Sequence, residues 1–243
     1  MIERLQALTI KKQYNARFEL SCSIDIKKGP LYTIVGPNGS GKSTLLRILG
    51  LLEQPDSGEV IYYQNGMPLP NPHNNTEIRR KVVLVPSRAA LFHETVFQNA
   101  AYGLRLRKIG KNICEERIMK ALNEVGLAGK ENINACELSS GESQRLALAR
   151  ALVIEPDIFM LDEPTASLDP DNTHIIEKII KDKKEGSQQI MIMVTHNLYQ
   201  AKSLSDFIIY MYGGAIVEVT AAGAFFEKPS TGLAQKFVFG EVY

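Results

Sequence analysis

Residues 36–44 read GPNGSGKST; they follow the apolar run LYTIV (residues 31–35) and lead into TLLRILGLL (residues 44–52). The stretch matches G-x-x-x-x-G-K-[ST] in the strand–loop–helix setting that gives the pattern its physical meaning. Gly36, Gly39 and Gly41, with Pro37, Asn38 and Ser40 between them, allow the backbone to wrap closely around a phosphate chain. The helix that begins there adds the positive end of its dipole. Lys42 is placed to reach the β- and γ-phosphates and Ser43 to offer a hydroxyl to Mg²⁺, with Thr44 beside them. A plain glycine-rich turn with an exposed lysine would need neither the strand before it nor the helix after it.

Four runs share one pattern: LYTIVG, VVLVP (residues 82–86), DIFMLDE (157–163) and QIMIMVTH (189–196). They are short, continuously apolar and rich in β-formers, as strands covered on both faces of a parallel sheet should be. FELSCSIDI (18–26) instead alternates, with Phe18, Leu20, Cys22, Ile24 and Ile26 on one face, which predicts a half-exposed antiparallel strand. FIIYMYGGAIVEV (207–219) predicts a hairpin turning at Gly213-Gly214. Helices are predicted in STLLRILGLLEQ, stopped by Pro55 and Gly58, in EERIMKALNEVG, in GESQRLALARALVI, stopped by Pro156, and in NTHIIEKIIKDKKEG. The expected fold is therefore α/β, a single domain over residues 1–243. Residues 1–87 and 156–243 supply the core sheet and an N-terminal antiparallel β part, and residues 88–155 form an inserted helical lobe.

The 243 residues contain 28 Lys+Arg against 27 Asp+Glu, so nothing resembles the basic footprint of a nucleic-acid binder, and no nucleic acid is expected as a partner. The longest apolar runs are strand-sized, short of the roughly 20 residues a spanning helix needs. The N-terminus MIERLQALTIKK lacks a signal-peptide pattern. Cys22, Cys114 and Cys136 are odd in number and lack metal-ligand spacing, so reduced thiols are expected. Together these features predict a cytosolic type of protein.

Asp162 and Glu163 end the DIFMLDE strand, and in an open α/β sheet ligands gather at that edge. Asp162 would hold Mg²⁺, through water, and Glu163 would polarise the water attacking a γ-phosphate. Two acids merely terminating a strand would be the simpler account if the phosphate loop were absent. His196 ends another apolar strand at the same edge, where a donor to the γ-phosphate is needed; a histidine alone there would more often be structural. ELSSGESQRLALAR (137–150) offers a second anion-binding helix start. Ser139 and Glu142 form a capping box by spacing, which leaves Gly141 in the first turn unexplained.

These motifs, taken in order, resemble the nucleotide-binding subunits of ABC transporters over nearly the whole chain. GPNGSGKST looks like their Walker A, and LSSGESQRLALARAL like their signature, with Ser140 and Glu142 where many members have Gly and Gln. IFMLDEPTASLD looks like Walker B running to Asp169 of the D-loop, and VTH like the switch-histidine motif. Tyr14 falls where the family places an aromatic that stacks on adenine. The resemblance implies a P-loop ATPase that binds ATP and Mg²⁺ and pairs head to tail as a homodimer or with a related subunit. In such a pair Ser139, Ser140, Gly141 and Glu142 of one chain cap the ATP in the other, and Asp169 lies at the shared site. One departure concerns the glutamine that should follow VVLVP and contact Mg²⁺: Ser87 stands there, and Gln98 lies too far along to replace it.

The same resemblance implies an importer ATPase working with a separate integral permease and, indirectly, an extracytoplasmic binding protein, at the cytoplasmic face of the membrane. The tail FFEKPSTGLAQKFVFGEVY (225–243) looks like that of importers for oxyanions such as tungstate or molybdate, and ends before any added regulatory domain. Exporter ATPases and non-transport members in DNA repair or translation are the alternatives.

Overall fold

Alternation in the 18–26 stretch becomes a strand that buries Leu20, Cys22, Ile24 and Ile26 and turns the residues between them to solvent. It is the second element of the computed structural model, which describes residues 1–15, 18–186 and 188–240. The last three residues of the importer-like tail lie outside the described residues. In chain order the elements are β1 (Arg4–Asn15), β2 (Phe18–Lys27), β3 (Leu31–Val35), α1 (Lys42–Leu49), β4 (Ser57–Gln64), β5 (Met67–Pro68), α2 (Thr76–Arg79) and β6 (Val82–Val85). Then come α3 (Val96–Leu106), α4 (Lys111–Glu124), α5 (Ser140–Leu152), β7 (Ile158–Asp162), α6 (Pro170–Glu185), β8 (Ile190–Val194) and α7 (Leu198–Leu204). The chain closes with β9 (Phe207–Tyr212), β10 (Ala215–Ala221), α8 (Ala222–Glu227) and α9 (Gly232–Val238).

Contacts divide the chain into two units. The first comprises Met1–Leu84, Asp157–Asp162 and Gly186–Tyr243. Its smaller sheet runs β2-β1-β4-β5, antiparallel throughout. Its larger sheet runs β10-β9-β3-β8-β7-β6, with β3 parallel to both β8 and β9, and β7 parallel to β8. Strands β3 and β8 are wholly buried, as their unbroken apolar sequences require. In β6, Val82, Val83 and Leu84 are only half-buried while Val85 is buried; among the described residues β6 is the outermost strand of its sheet. Gly213 and Gly214, at φ 55° and 83°, make the predicted hairpin turn between β9 and β10. One apolar core joins both sheets through residues such as Leu5, Leu20, Tyr62, Ile34, Leu45 and Met160. Each such large side chain contributes about 1.5–3 kcal/mol on burial.

Helix α1 is shorter than the sequence predicts. It stops at Leu49 rather than near Gln54, because Gly50 caps it and buried Leu51, at φ 58°, reverses the chain. The amide of Leu52 then bonds back to the Arg47 carbonyl at 2.9 Å, satisfying a terminal helix acceptor.

The second unit comprises Val85–Pro156 and Glu163–Glu185. It holds α3, which the sequence did not single out, as well as α4, α5 and α6. Thr95 and Gln98 cap α3 reciprocally, and that employs the Gln98 side chain. Arg145, buried in α5, donates to the Val125 and Gly126 carbonyls at 2.8 and 2.9 Å, closing the C-terminus of α4 where a cation is favoured. Residues 163–185 group with these helices, whereas the sequence placed 156–243 with the sheet. Long-range contacts among them include an ion pair between Lys183 and Glu124 at 3.0 Å and close packing of Asn172 on Gly141.

Candidate functional site

Sheet register brings the phosphate loop, one acid and one histidine to a single edge of the first unit. Val194 in β8 pairs with Ile34 in β3 on one side and with Asp162 in β7 on the other. The loop leaves β3 at Gly36, Asp162 ends β7, and His196 emerges two residues past Val194, exposed. Three parallel strands ending level thus deliver their residues to the place where an open α/β sheet binds ligands.

Within the loop, Gly36 adopts φ 151°, and a β-carbon there would stand 2.1 Å from the Met211 carbonyl oxygen, so only glycine fits. Gly39 and Gly41 also take positive φ, and Gly41 precedes the first turn of α1. Pro37 accepts from the Ser40 amide at 3.2 Å, Asn38 faces solvent, and Thr44 is buried and accepts from Arg47 at 3.3 Å. Lys42 is buried and donates to the Gly36 and Pro37 carbonyls at 2.8 and 2.9 Å, which folds its ammonium inside the loop. The buried hydroxyl of Ser40 has no hydrogen-bond partner among the described residues. An unsatisfied hydroxyl and a buried ammonium in one backbone cradle fit a polyphosphate, whose oxygens would engage both.

Ser43 Oγ donates to Asp162 Oδ1 at 3.0 Å. Two hard oxygen donors therefore meet at the start of α1. Among the described residues no group of three or more His, Cys, Asp and Glu side chains could hold a metal. That donor set fits Mg²⁺, which commonly binds through one or two carboxylates together with substrate phosphates. Glu163 is next along the chain, at φ 50°, its carbonyl accepting from the Ala166 amide at 3.1 Å.

Tyr14 lies in β1, half-exposed, its hydroxyl donating to Glu53 and accepting from Arg47 at 3.1 Å. Arg47 also reaches Glu53 at 3.1 Å, so the ring is tied to the end of α1. Sequence reasoning did not identify Arg47 or Glu53, nor Phe18, whose ring would lie 3.0 Å from a β-carbon at Gly41 and sits 6.4 Å from that of Tyr14. Phe18 is readable only as one more member of an alternating face.

In the second unit Ser139 caps α5. Its Oγ accepts the Glu142 amide at 3.3 Å, and Glu142 Oε2 accepts the Ser139 amide at 2.9 Å. The same Ser139 hydroxyl also bonds to the Glu142 carboxyl. Lys130 bonds to the other oxygen of Glu142, and with the Ser139 amide it holds that carboxyl at about 2. Ser140 opens the helix, exposed, and Gly141 is buried beneath the Asn172 amide. That contact accounts for glycine in the first turn. Asp169 accepts from the Asn172 amide at 2.9 Å and from its side chain at 2.7 Å, which lowers the Asp169 carboxyl. Asn172 could have been read as the partner of an Asp three residues earlier, but no local signal ties it to Gly141.

Ser87 is exposed just after β6. The carbonyl before it, on Pro86, accepts from the buried side chain of Gln144 in α5 at 2.9 Å.

Residues 20–166 match the family model described as ABC transporter. The chain is 34% identical over 235 residues to the spermidine/putrescine import ATP-binding protein PotA of Mycoplasma mycoides, covering 96% of this chain and 66% of that protein. It thus spans about two thirds of the length of that relative. It is 35% identical over 210 residues to the tungstate uptake system ATP-binding protein TupC of Peptoclostridium acidaminophilum, covering 86% of this chain and 94% of that one. The fold superposes with a TM-score of 0.78, at 28% identity, on the dimeric structure of MJ0796, a bacterial ABC transporter cassette, covering 90% of this chain and 98% of that one. The same cassette is known in a dimeric post-hydrolysis state bound to ADP and Pi. With its phosphate loop, its paired serine and aspartate and its capped second helix start in the family's order, the chain belongs to the ABC transporter family and has the fold of its ATP-binding cassette.

Proposed function

We propose that the chain hydrolyses ATP with Mg²⁺ and drives a membrane importer through a separate integral permease. The observation that carries this is the bond between Ser43 and Asp162 beside a buried Lys42 inside the loop. That arrangement supplies a metal-binding pair and a phosphate cation within one loop and strand end. When bound, Mg²⁺ would neutralise phosphate charge. Lys42, Ser40 and the loop amides orient the phosphates, His196 donates to the γ-phosphate, and Glu163 takes the proton of the attacking water. Tyr14 stacks on the adenine.

Two chains pair head to tail, and Ser139, Ser140 and Gly141 of one close the nucleotide site of the other. Support comes from the dimeric state of the related cassette. The chain acts peripherally, at the cytoplasmic face of the membrane; that no helix among the described residues is long and apolar enough to cross a membrane supports this reading. The transported solute is an oxyanion such as tungstate; the related TupC supports this, and the polyamine relative PotA sets the competing solute class.

The test is Glu163→Gln. ATP binding should persist while turnover falls by about 100-fold or more, as expected on losing a general base. Wild-type turnover in that variant would overturn the assignment. Mixing Lys42→Ala and Gly141→Asp chains should yield one intact shared site, and failure to cross-link labelled nucleotide across the pair would refute head-to-tail closure. Co-reconstitution with the permease and binding protein decides the solute: ATPase stimulated by spermidine and not by tungstate would overturn the oxyanion.

A further inference from the structure

Away from the phosphate loop, a nucleophile and a base meet at the surface of the second unit. Cys136, exposed in the short turn Ala135–Glu137, places its sulfur 3.2 Å from Nδ1 of exposed His93. The backbones that carry them are bonded to each other. The Ala135 amide donates to the Glu94 carbonyl at 3.0 Å, the Val96 amide donates to Ile133 at 2.9 Å, and Thr95 bridges Asn134. Fully buried Asn99 locks both flanks of His93, accepting from the Phe92 amide at 2.9 Å and donating to the Phe92 and Glu94 carbonyls at 3.0 and 3.2 Å. Asn134 accepts from the Cys136 amide at 3.0 Å and holds the other side. Two reactive groups on rigid, mutually bonded segments need no ordering before they react.

The other cysteines have different surroundings. Cys22 is buried, and burial pushes its thiol up to about 12, far from the reactive thiolate. Cys114 is half-buried and donates to the Ile109 carbonyl at 3.3 Å. Among the described residues, only Cys136 combines exposure with an adjacent base.

We propose that Cys136 is a covalent modification site for small electrophiles and low-molecular-weight disulfides, with His93 as its proton acceptor. In the exchange, His93 Nδ1 takes the thiol proton and the Cys136 sulfur attacks one sulfur of the disulfide. A new S–S bond forms to Cys136 as the original S–S bond breaks. The departing thiolate takes the proton back from His93, so Cys136 ends oxidised and one half of the reagent ends reduced to a thiol. Nothing in this chemistry depends on ATP hydrolysis, and its failure would leave the transport assignment untouched.

The test is time-resolved peptide mass mapping of the full chain at neutral pH with limiting iodoacetamide and, separately, with 2-hydroxyethyl disulfide. Cys136 should react before Cys114, and Cys22 last. His93→Ala should slow Cys136 by at least about tenfold, a modest share of what general base catalysis supplies, and leave Cys114 unchanged. His93→Gln, which keeps a polar side chain but no base, should slow it equally. An unchanged Cys136 rate in both variants, or a rate in the folded chain no higher than in denaturant, would overturn the proposal.

Discussion

The side-chain amide of Asn172 lies so close over Gly141 that a β-carbon at position 141 would stand 2.3 Å from Asn172 Cγ. Asn172 is not free to retreat, because Asp169 holds both its backbone amide and its side chain. Gly141, Asn172 and Asp169 therefore act as one packed unit joining the start of α5 to the start of α6. Gly141→Ala should destabilise the protein by about 1–3 kcal/mol, the usual cost of overpacking. Asn172→Ala should relieve most of that cost in the double variant. Denaturant unfolding of the four proteins would show an interaction energy above about 0.5 kcal/mol; simple additivity would contradict the contact.

Glu142 makes a pH-dependent contribution. Its carboxyl is held at about 2, against an ordinary value of 4.5, by Lys130 and then by the Ser139 amide. Because the folded value is depressed, the stabilisation is fully present above about 4.5 and is lost as pH falls toward about 2. Glu142→Gln keeps the geometry of a capping box but removes the titration. Melting temperature should therefore drop more steeply in the wild type than in Glu142→Gln across that window, and parallel curves would refute the assignment.

Nucleotide affinity should separate the two parts of Tyr14. Tyr14→Phe loses the bonds to Glu53 and Arg47 but keeps the ring, so the Kd for ATP should change by less than about threefold, because exposed hydrogen bonds are worth little. Tyr14→Ala loses stacking, worth about 1–3 kcal/mol per base, and should weaken ATP roughly tenfold or more. Fluorescent-nucleotide titration distinguishes the outcomes; equal losses in both variants would mean that the ring does not meet the base.

Ser87 stands where the resemblance to the family leads one to expect glutamine, and its loop is anchored beside it through Pro86 and Gln144. With Lys42, Ser43, Asp162, Glu163 and His196 all present in the sequence, Ser87→Gln should change basal ATP turnover by less than about tenfold, or roughly 1.4 kcal/mol of barrier. The larger change should appear in ATPase stimulated by the reconstituted permease. An inactive wild type rescued by Ser87→Gln would show that the serine disables the site.

The phosphate loop was legible because its residues are contiguous: nine neighbours in the chain make one structure, and a strand before and a helix after complete it. Asp162 and His196 were legible for a related reason, since parallel strands of similar length end at one edge. The capping box at Ser139 and Glu142 spans a single helical turn and could be read from spacing alone. Helix α3 was not singled out although its signals are local too: Thr95 and Gln98 form a capping box, and buried Val96, Asn99, Ala100 and Leu104 recur at helical spacing.

Side-chain partners distant in the chain were not legible. Nothing near Gly141 in sequence announces Asn172, nothing near Pro86 announces Gln144, and nothing near Cys136 announces His93. Arg47 and Glu53 look like ordinary charges at the end of a helix until β1 brings Tyr14 against them. Backbone geometry and hydrophobic periodicity are local properties, carried by each segment whatever surrounds it. The bonds that hold these side chains form only when segments far apart in sequence pack together, so the chain alone sets each segment's local form and the folded structure decides what steadies it.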